Sequence, residues 1–439
     1  MILPVRGFLR TLLSVAGAAG IAAAPAFADE TGISPSAATT LGVPNGPNPD
    51  TGMAVGRFLV YPQFFIGAVY NDNILASATA RKSGWGLQFA PSLNAVDDEG
   101  IHKTTLNFSG NAQFYPGVSA DAGSGGQTSQ VSGNVKLDHV WTPAPDVSVD
   151  VWSGVTRQNS VFGSTGSGAG SFVNGATSVN VGGYQQYSDS ITGGLSVEKK
   201  FSDQFFVRVG VGGQDLIYEN APPGFVSSQS GVEGNGFARA GYYILPTVNA
   251  FVETGVDAWR YRNSWYDTNA YRVIGGLSSD LIGLFRGEVF AGYQQQSSAH
   301  GVFGSVNAPT YGGKLSYYPT RYLTFAASLN QSFGSAAAQN PNQPYVGSPS
   351  TQTLQSRFEA DYTMAEYWSV TAQAGWAQTT WSNSPVVETA WTIGGGVSYS
   401  FWRNVGLGAN YQYQRTLSNS ALAPGYAQSI VSAGLTYHY

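Results

Sequence analysis

The sequence predicts an all-β protein, a transmembrane antiparallel β-barrel of about 18 strands, with 16 as the nearest alternative count. Three observations predict it. Stretches of roughly 10–15 residues alternate apolar with small or polar side chains, the period of two that marks a strand with unlike faces. Short and long connections between these stretches alternate along the chain. Charged residues make up only 11% of the 439 positions while aromatics reach 13%, where an ordinary soluble domain carries about a quarter charged.

Composition removes several classes. No Cys is present, which excludes a disulfide or Cys-metal scaffold. The formal charge of −5 argues against a nucleic-acid partner. No run of about 18 apolar residues follows the first segment, so helices do not carry this chain across a bilayer.

The elements follow in order. Residues 1–28 read as a secretory signal peptide: Arg6 and Arg10 form a basic start, Thr11 to Ala24 is apolar, and Ala26-Phe27-Ala28 fits small-x-small cleavage between Ala28 and Asp29. An uncleaved membrane anchor is the alternative. Residues 29–56, with Pro35, Pro44, Pro47 and Pro49 among Gly, Ser and Asn, read as a flexible periplasmic N-terminal segment. Residues 57–439 read as the barrel. Eighteen alternating spans are expected, at 58–70, 84–95, 101–115, 128–141, 146–159, 185–198, 204–219, 232–245, 247–261, 269–280, 284–297, 309–319, 321–334, 351–363, 367–381, 386–401, 403–417 and 426–439. In the span from Phe205, for instance, Phe205, Val207, Val209 and Val211 share one face. Long links such as 160–184 and 335–350 alternate with tight ones such as 142–145 and 281–283. That is the pattern of long extracellular loops and short periplasmic turns.

Closure into a barrel satisfies every backbone group inside hydrocarbon. One face of each strand then meets lipid, and a basic or acidic side chain there costs about 2–4 kcal/mol at the midplane. Strand parity places nearly all the strand charge on the opposite, pore-lining face: Lys136, Asp138, Asp150, Glu198, Arg208, Arg239, Glu253, Asp257, Arg272, Arg286, Glu288, Lys314, Arg357, Glu359 and Asp361. Trp152, Trp259, Phe206, Phe237, Phe251, Phe290 and Tyr318 share that parity, as do Asn107, Asn111, Gln113, Asn134, Gln214, Gln294, Asn330, Gln355, Gln373, Asn410, Gln412 and Gln414. Neutral amides both donate and accept, which suits a polyhydroxylated solute. The inward aromatics either stack on sugar faces or pack beneath loops. The inward charges either face one another across a constriction or pair along the wall. Trp141, Tyr242, Trp376, Trp391, Phe401, Tyr411 and Tyr437 suit the interfacial girdles.

Catalysis is not expected. His102, His139, His300 and His438 are scattered, and no nucleophile–base motif or metal-ligand spacing appears, so no cofactor is expected either. Asp97-Asp98-Glu99-Gly100 reads as a periplasmic turn rather than a calcium loop.

The chain ends Ser432-Ala433-Gly434-Leu435-Thr436-Tyr437-His438-Tyr439. Gly434, Tyr437 and Tyr439 resemble the C-terminal insertion signal that bacterial barrel assembly machinery recognises. Tyr70-Asn71-Asp72-Asn73-Ile74, just after the first strand, resembles the element found there in the putative β-barrel porin 2 family of proteobacterial outer-membrane proteins. The plainer reading of Asp72 and Asn73 is an Asx-type turn.

The resemblance implies a pore in the outer membrane of a Gram-negative bacterium, most often a channel for exopolysaccharide secretion. It also implies outer-membrane lipid, the assembly machinery and a periplasmic polysaccharide export protein as partners. Polysaccharide or small solutes would occupy the lumen. A general or solute-selective diffusion porin and a structural or adhesive barrel are the alternative expectations.

Overall fold

The computed structural model describes residues 52–439, apart from 75–80, 119–128, 162–184, 220–229, 263, 265–266, 300–304, 335–350, 365–366, 382–386, 403 and 420–424. The signal-peptide reading, including Ala28 and Asp29, and the 160–184 loop fall almost wholly outside these residues.

The strands are β1 (Met53–Val55), β2 (Phe58–Asn71), β3 (Gly84–Asp98), β4 (His102–Phe114), β5 (Gln130–Ala144), β6 (Val147–Val161), β7 (Gln185–Lys200), β8 (Phe205–Glu219), β9 (Gly231–Leu245), β10 (Val248–Tyr261), β11 (Thr268–Ile282), β12 (Phe285–Ser298), β13 (Val306–Thr320), β14 (Leu323–Gly334), β15 (Thr351–Met364), β16 (Trp368–Trp381), β17 (Val387–Ser400), β18 (Val405–Ser418) and β19 (Ala427–His438). From β2 onward each pairs antiparallel with the next. β19 returns to pair with β2, from Ile430 opposite Asn71 to His438 opposite Gln63. The result is a closed barrel of 18 strands, β2 to β19, as the alternating sequence predicts. Closure leaves no free edge between the first and last strands.

β1 was not foreseen, because three residues are too few to show a period. It pairs with β2 from Met53 opposite Val60 to Val55 opposite Phe58. That is the stretch of β2 edge which β19, ending against Gln63, does not reach. The hairpin therefore occupies backbone groups that closure alone leaves open.

The connections 99–101, 145–146, 201–204, 246–247, 283–284 and 321–322 all lie at one end of the barrel, as do the facing ends of β15 and β16 and of β17 and β18. Gly100 and Gly283 adopt φ of 80° and 61° there, a backbone that side-chain-bearing residues rarely take. In the first of these turns Arg57 reaches Asp97 at 3.0 Å and also Glu99, while Lys103 reaches Asp98 at 3.4 Å. These carboxylates are paired with arginine and lysine, in keeping with a turn.

The outer face carries a broad apolar band. Leu87, Val211, Val252, Val256, Leu277, Ile393 and Leu407 all stand exposed on it. Aromatic rings ring its lower edge. Phe64 stacks on Tyr437 at 5.1 Å, and Phe285, Tyr317, Phe325 and Phe358 form a chain across β12 to β15 with centroids 4.5, 6.3 and 6.0 Å apart. Tyr70–Trp85 and Trp376–Trp391 lie toward the other end.

The outer face carries a small remainder of the strand charge. Arg157, Asp189, Asp215, Glu219, Arg260 and Arg415 share its parity. Each lies in the third of its strand farthest from the short turns. β6 has 15 residues. At about 3.3 Å each and a tilt near 40°, such a strand rises roughly 38 Å, against an apolar band of about 25 Å. The strands thus outrun the hydrocarbon, and these side chains stand above it. There Arg157 bonds Asp189 at 3.0 Å and Glu219 at 2.8 Å and lies 4.8 Å over the Tyr187 ring.

Candidate functional site

The inner wall of the barrel is the candidate site. Each inward position is dictated by parity with an exposed apolar residue on either side, so the wall's chemistry can be followed strand by strand.

Charge occupies the arc from β5 to β15. Lys136 and Asp138 (β5) pair at 3.1 Å. Asp150 (β6) lies 3.5 Å from Arg208 (β8), which also donates to Ser196 Oγ at 2.9 Å. Arg208 is the register partner of both Glu198 (β7) and Arg239 (β9). Arg239 is the hub. It bonds Glu253 (β10) at 2.7 Å and Glu288 (β12) at 3.0 Å, and its guanidinium lies 4.0 Å over the Phe251 ring. Arg272 (β11) takes the other oxygen of Glu253 at 2.7 Å, and Glu253 is only 2% exposed. Lys314 (β13) stands opposite Glu288 in register. Arg286 lies near the turn end of β12. On β15 Arg357 pairs with Glu359 and donates to Gln373 at 3.3 Å, with Asp361 beyond. The inward charges thus pair along the wall, within one strand or with a strand one to three places away, which is one of the two arrangements left open above.

The arc from β16 through β19 and on to β4 is different. Its inward positions between the strand ends are Ser, Thr, Asn, Gln, Gly, Ala and a few apolar residues. Their amides bond one another: Gln88 Nε2 donates to Asn111 Oδ1 at 2.9 Å, and Asn94 donates to Asn107. Gln414 Nε2 donates to the Tyr426 hydroxyl at 2.9 Å. Between the strand ends the lumen therefore has an ionised side and a neutral, hydrogen-bonding side, with Glu388, Asp98 and Lys103 confined to the ends of β17, β3 and β4.

The inward aromatics lie against glycines. Trp152 is the register partner of Gly194, Phe237 of Gly210, Phe206 of Gly241, and Phe251 of Gly276. Phe290 stands opposite both Gly276 and Gly312. A Cβ on any of these glycines would approach the paired ring closer than 3.0 Å. The rings lie down over bare backbone, which keeps them from projecting across the lumen. Trp259 packs instead on Tyr261, with centroids 5.7 Å apart.

The Tyr70–Ile74 element has a structural task. Tyr70 faces outward against Trp85, with ring centroids 5.1 Å apart. Asn71 is fully buried, and its Oδ1 accepts from Asn73 N at 2.9 Å and from Gln428 Nε2 at 3.2 Å. The Asx turn is thus made by Asn71, a correction to its assignment to Asp72 and Asn73. Asp72 Oδ1 instead accepts from Ser429 N at 2.6 Å, and Asn73 Nδ2 donates to Ala427 O at 2.9 Å. Ile74 joins Val69 and Tyr115 in a fully buried cluster. Burial pushes the Tyr115 phenol up to about 12; its hydroxyl donates to Gln113 Oε1 at 2.8 Å. At the C-terminus Gly434 faces Gly67 across the same seam, where a Cβ would strike the Ile66 carbonyl. Tyr439 N donates to Pro62 O at 3.2 Å.

Glu233 on β9 was missed. It shares the parity of Arg239, so the signal existed, but it sits close to the strand's end where periodicity fades. Among the described residues no trio of His, Cys, Asp or Glu converges as a metal site.

A family model described as putative beta-barrel porin 2 matches residues 47–439. A search of curated proteins gives no match. Among solved structures the chain is similar to Acinetobacter baumannii OccAB4, at 11% identity over 89% of this chain and 100% of that one, TM-score 0.42. It is also similar to Pseudomonas aeruginosa OccK3 (OpdO), at 14% identity over 87% and 95%, TM-score 0.39. A bacterial polysaccharide outer membrane secretin overlays at 9% identity over 86% and 98%, TM-score 0.34. Overlays this loose carry no functional argument.

Proposed function

This chain belongs to the putative beta-barrel porin 2 family and is an outer-membrane β-barrel, and from that premise we propose that it is the pore through which an exopolysaccharide leaves the cell. The observation that carries the reading is the two-sided wall. A barrel of 18 strands leaves room for an aqueous channel. The inward ions are largely tied to one another, and the opposite arc offers amides and hydroxyls that exchange hydrogen bonds with sugar hydroxyls without clamping a charge. Rings laid flat on glycine keep the passage smooth. The barrel acts as a conduit and performs no chemistry on its cargo. A periplasmic export protein would deliver the polymer at the short-turn end.

Planar-bilayer recording of the purified protein tests this. The expected result is a steady conductance that neutral oligosaccharides of increasing length lower reversibly. Absence of conductance overturns the pore. A conductance that passes small solutes and ignores oligosaccharides assigns the protein to diffusion instead.

A further inference from the structure

Glu233 and Asn235 on β9 and Asp257 on β10 share the inner face toward the end of the barrel away from the short turns. Asp257 stands directly across from Asn235, and Glu233 is its diagonal neighbour. Such positions lie roughly 5–8 Å apart, so two carboxylates bracket one amide. Asn235 is 1% exposed, and neither its Oδ1 nor its Nδ2 has a hydrogen-bond partner among the described residues. Glu233 is buried as well, at 7% exposure.

No basic side chain is bonded to either carboxylate among the described residues. Neither forms an ion pair among the described residues: Arg239 and Arg272 are bonded to Glu253 and Glu288, Arg260 has outward parity and is bonded to Trp259 O, Thr268 O and Asn269 Oδ1, and Arg262 stands exposed beyond the end of β10. Arg272 acts on Asp257 only through space. A buried carboxylate with a half-buried one close by, beside an unsatisfied buried amide, is costly unless a cation joins them.

We propose that Glu233, Asn235 and Asp257 hold a hard divalent cation, of the calcium class, in the lumen wall. The donor set consists of oxygens alone. Each carboxylate gives one or two, Asn235 gives Oδ1, and Gln214, opposite Glu233 on β8, keeps its Oε1 while its Nε2 donates to Ser190 at 2.8 Å. Water completes the 6–8 oxygens calcium takes. With nitrogen and sulfur lacking, zinc is disfavoured. Two carboxylates correspond to the weak end of calcium affinity, about 10⁻⁴ to 10⁻³ M, which suits a lumen open to the extracellular medium. The cation would pin β9 to β10 beside the ion-paired hub. This inference does not depend on what the pore carries.

The test uses the purified full-length barrel, stripped with chelator and titrated with calcium chloride while thermal unfolding and binding heat are followed. The expected result is a saturable rise in unfolding temperature, weaker with magnesium chloride. Glu233→Gln with Asp257→Asn should give a folded barrel that no longer responds. Asn235→Asp should bind calcium about tenfold more tightly. Should the double variant fail to fold, Asn235→Leu serves in its place, and it too should lose the response. The proposal is overturned by a wild-type protein with no saturable calcium response, or by either substituted barrel responding as wild type does.

Discussion

The side-chain amide of Asn73 donates to the backbone carbonyl of Ala427 across 2.9 Å, joining the end of the first barrel strand to the start of the last. Asn71 and Asp72 reinforce the same seam through Gln428 and Ser429. Among the barrel's strand pairings the seam is the one that local hairpin formation cannot make, since its partners lie more than 350 positions apart.

Loss of the Asn71 carbonyl should therefore loosen closure. Asn71→Ala strands the buried Asn73 N–H and weakens the hold on Gln428, a cost of about 1–3 kcal/mol. The heat needed to shift the barrel from its folded to its unfolded mobility on gels should fall, while Asn71→Asp, which keeps the acceptor, should fall less.

Glu253 holds two guanidiniums from a nearly dry position. Glu253→Gln should destabilise the barrel by about 3–5 kcal/mol, because it leaves the inward arginines short of a counter-ion. The reversal potential under a salt gradient should move toward anion preference. Glu359→Gln, at an open pair, should change stability by about 1 kcal/mol or less.

A methyl group at Gly194 or Gly241 has no room beneath Trp152 or Phe206. Gly194→Ala and Gly241→Ala should each cost about 1–3 kcal/mol. By lifting the ring off the wall they should also lower single-channel conductance. Trp152→Ala combined with Gly194→Ala should restore the conductance.

Tyr115 gives a signature at high pH. Its folded-state value, about 12, lies above the ordinary 10.0, so the neutral phenol stabilises the fold below pH 10. That contribution, roughly 2–3 kcal/mol, should drain away between pH 10 and about 12. Unfolding temperature followed through this window should drop more steeply in wild type than in Tyr115→Phe.

The strands, their number and their facing were legible because a two-sided sheet writes itself as a period of two. The link lengths told which end was which. What stayed hidden was pairing. Parity puts Arg239, Glu253 and Glu288 on one face, but only the register decides that Arg239 reaches both acids and Arg208 reaches neither. The motif around Asn73 reads as a local turn because its partners sit at the other end of the chain. Glu233 was overlooked near a strand end, where the alternation that identifies inward residues has too few repeats to count.

The division of the wall into an ionised and an uncharged side separates electrical traffic from cargo. Salt current should crowd along β5 to β15, where fixed charges gather mobile counter-ions. A threaded sugar chain should lean on β16 to β4. A polymer in transit would then dim the current without extinguishing it, and the depth of that dimming would report how far the two lanes overlap.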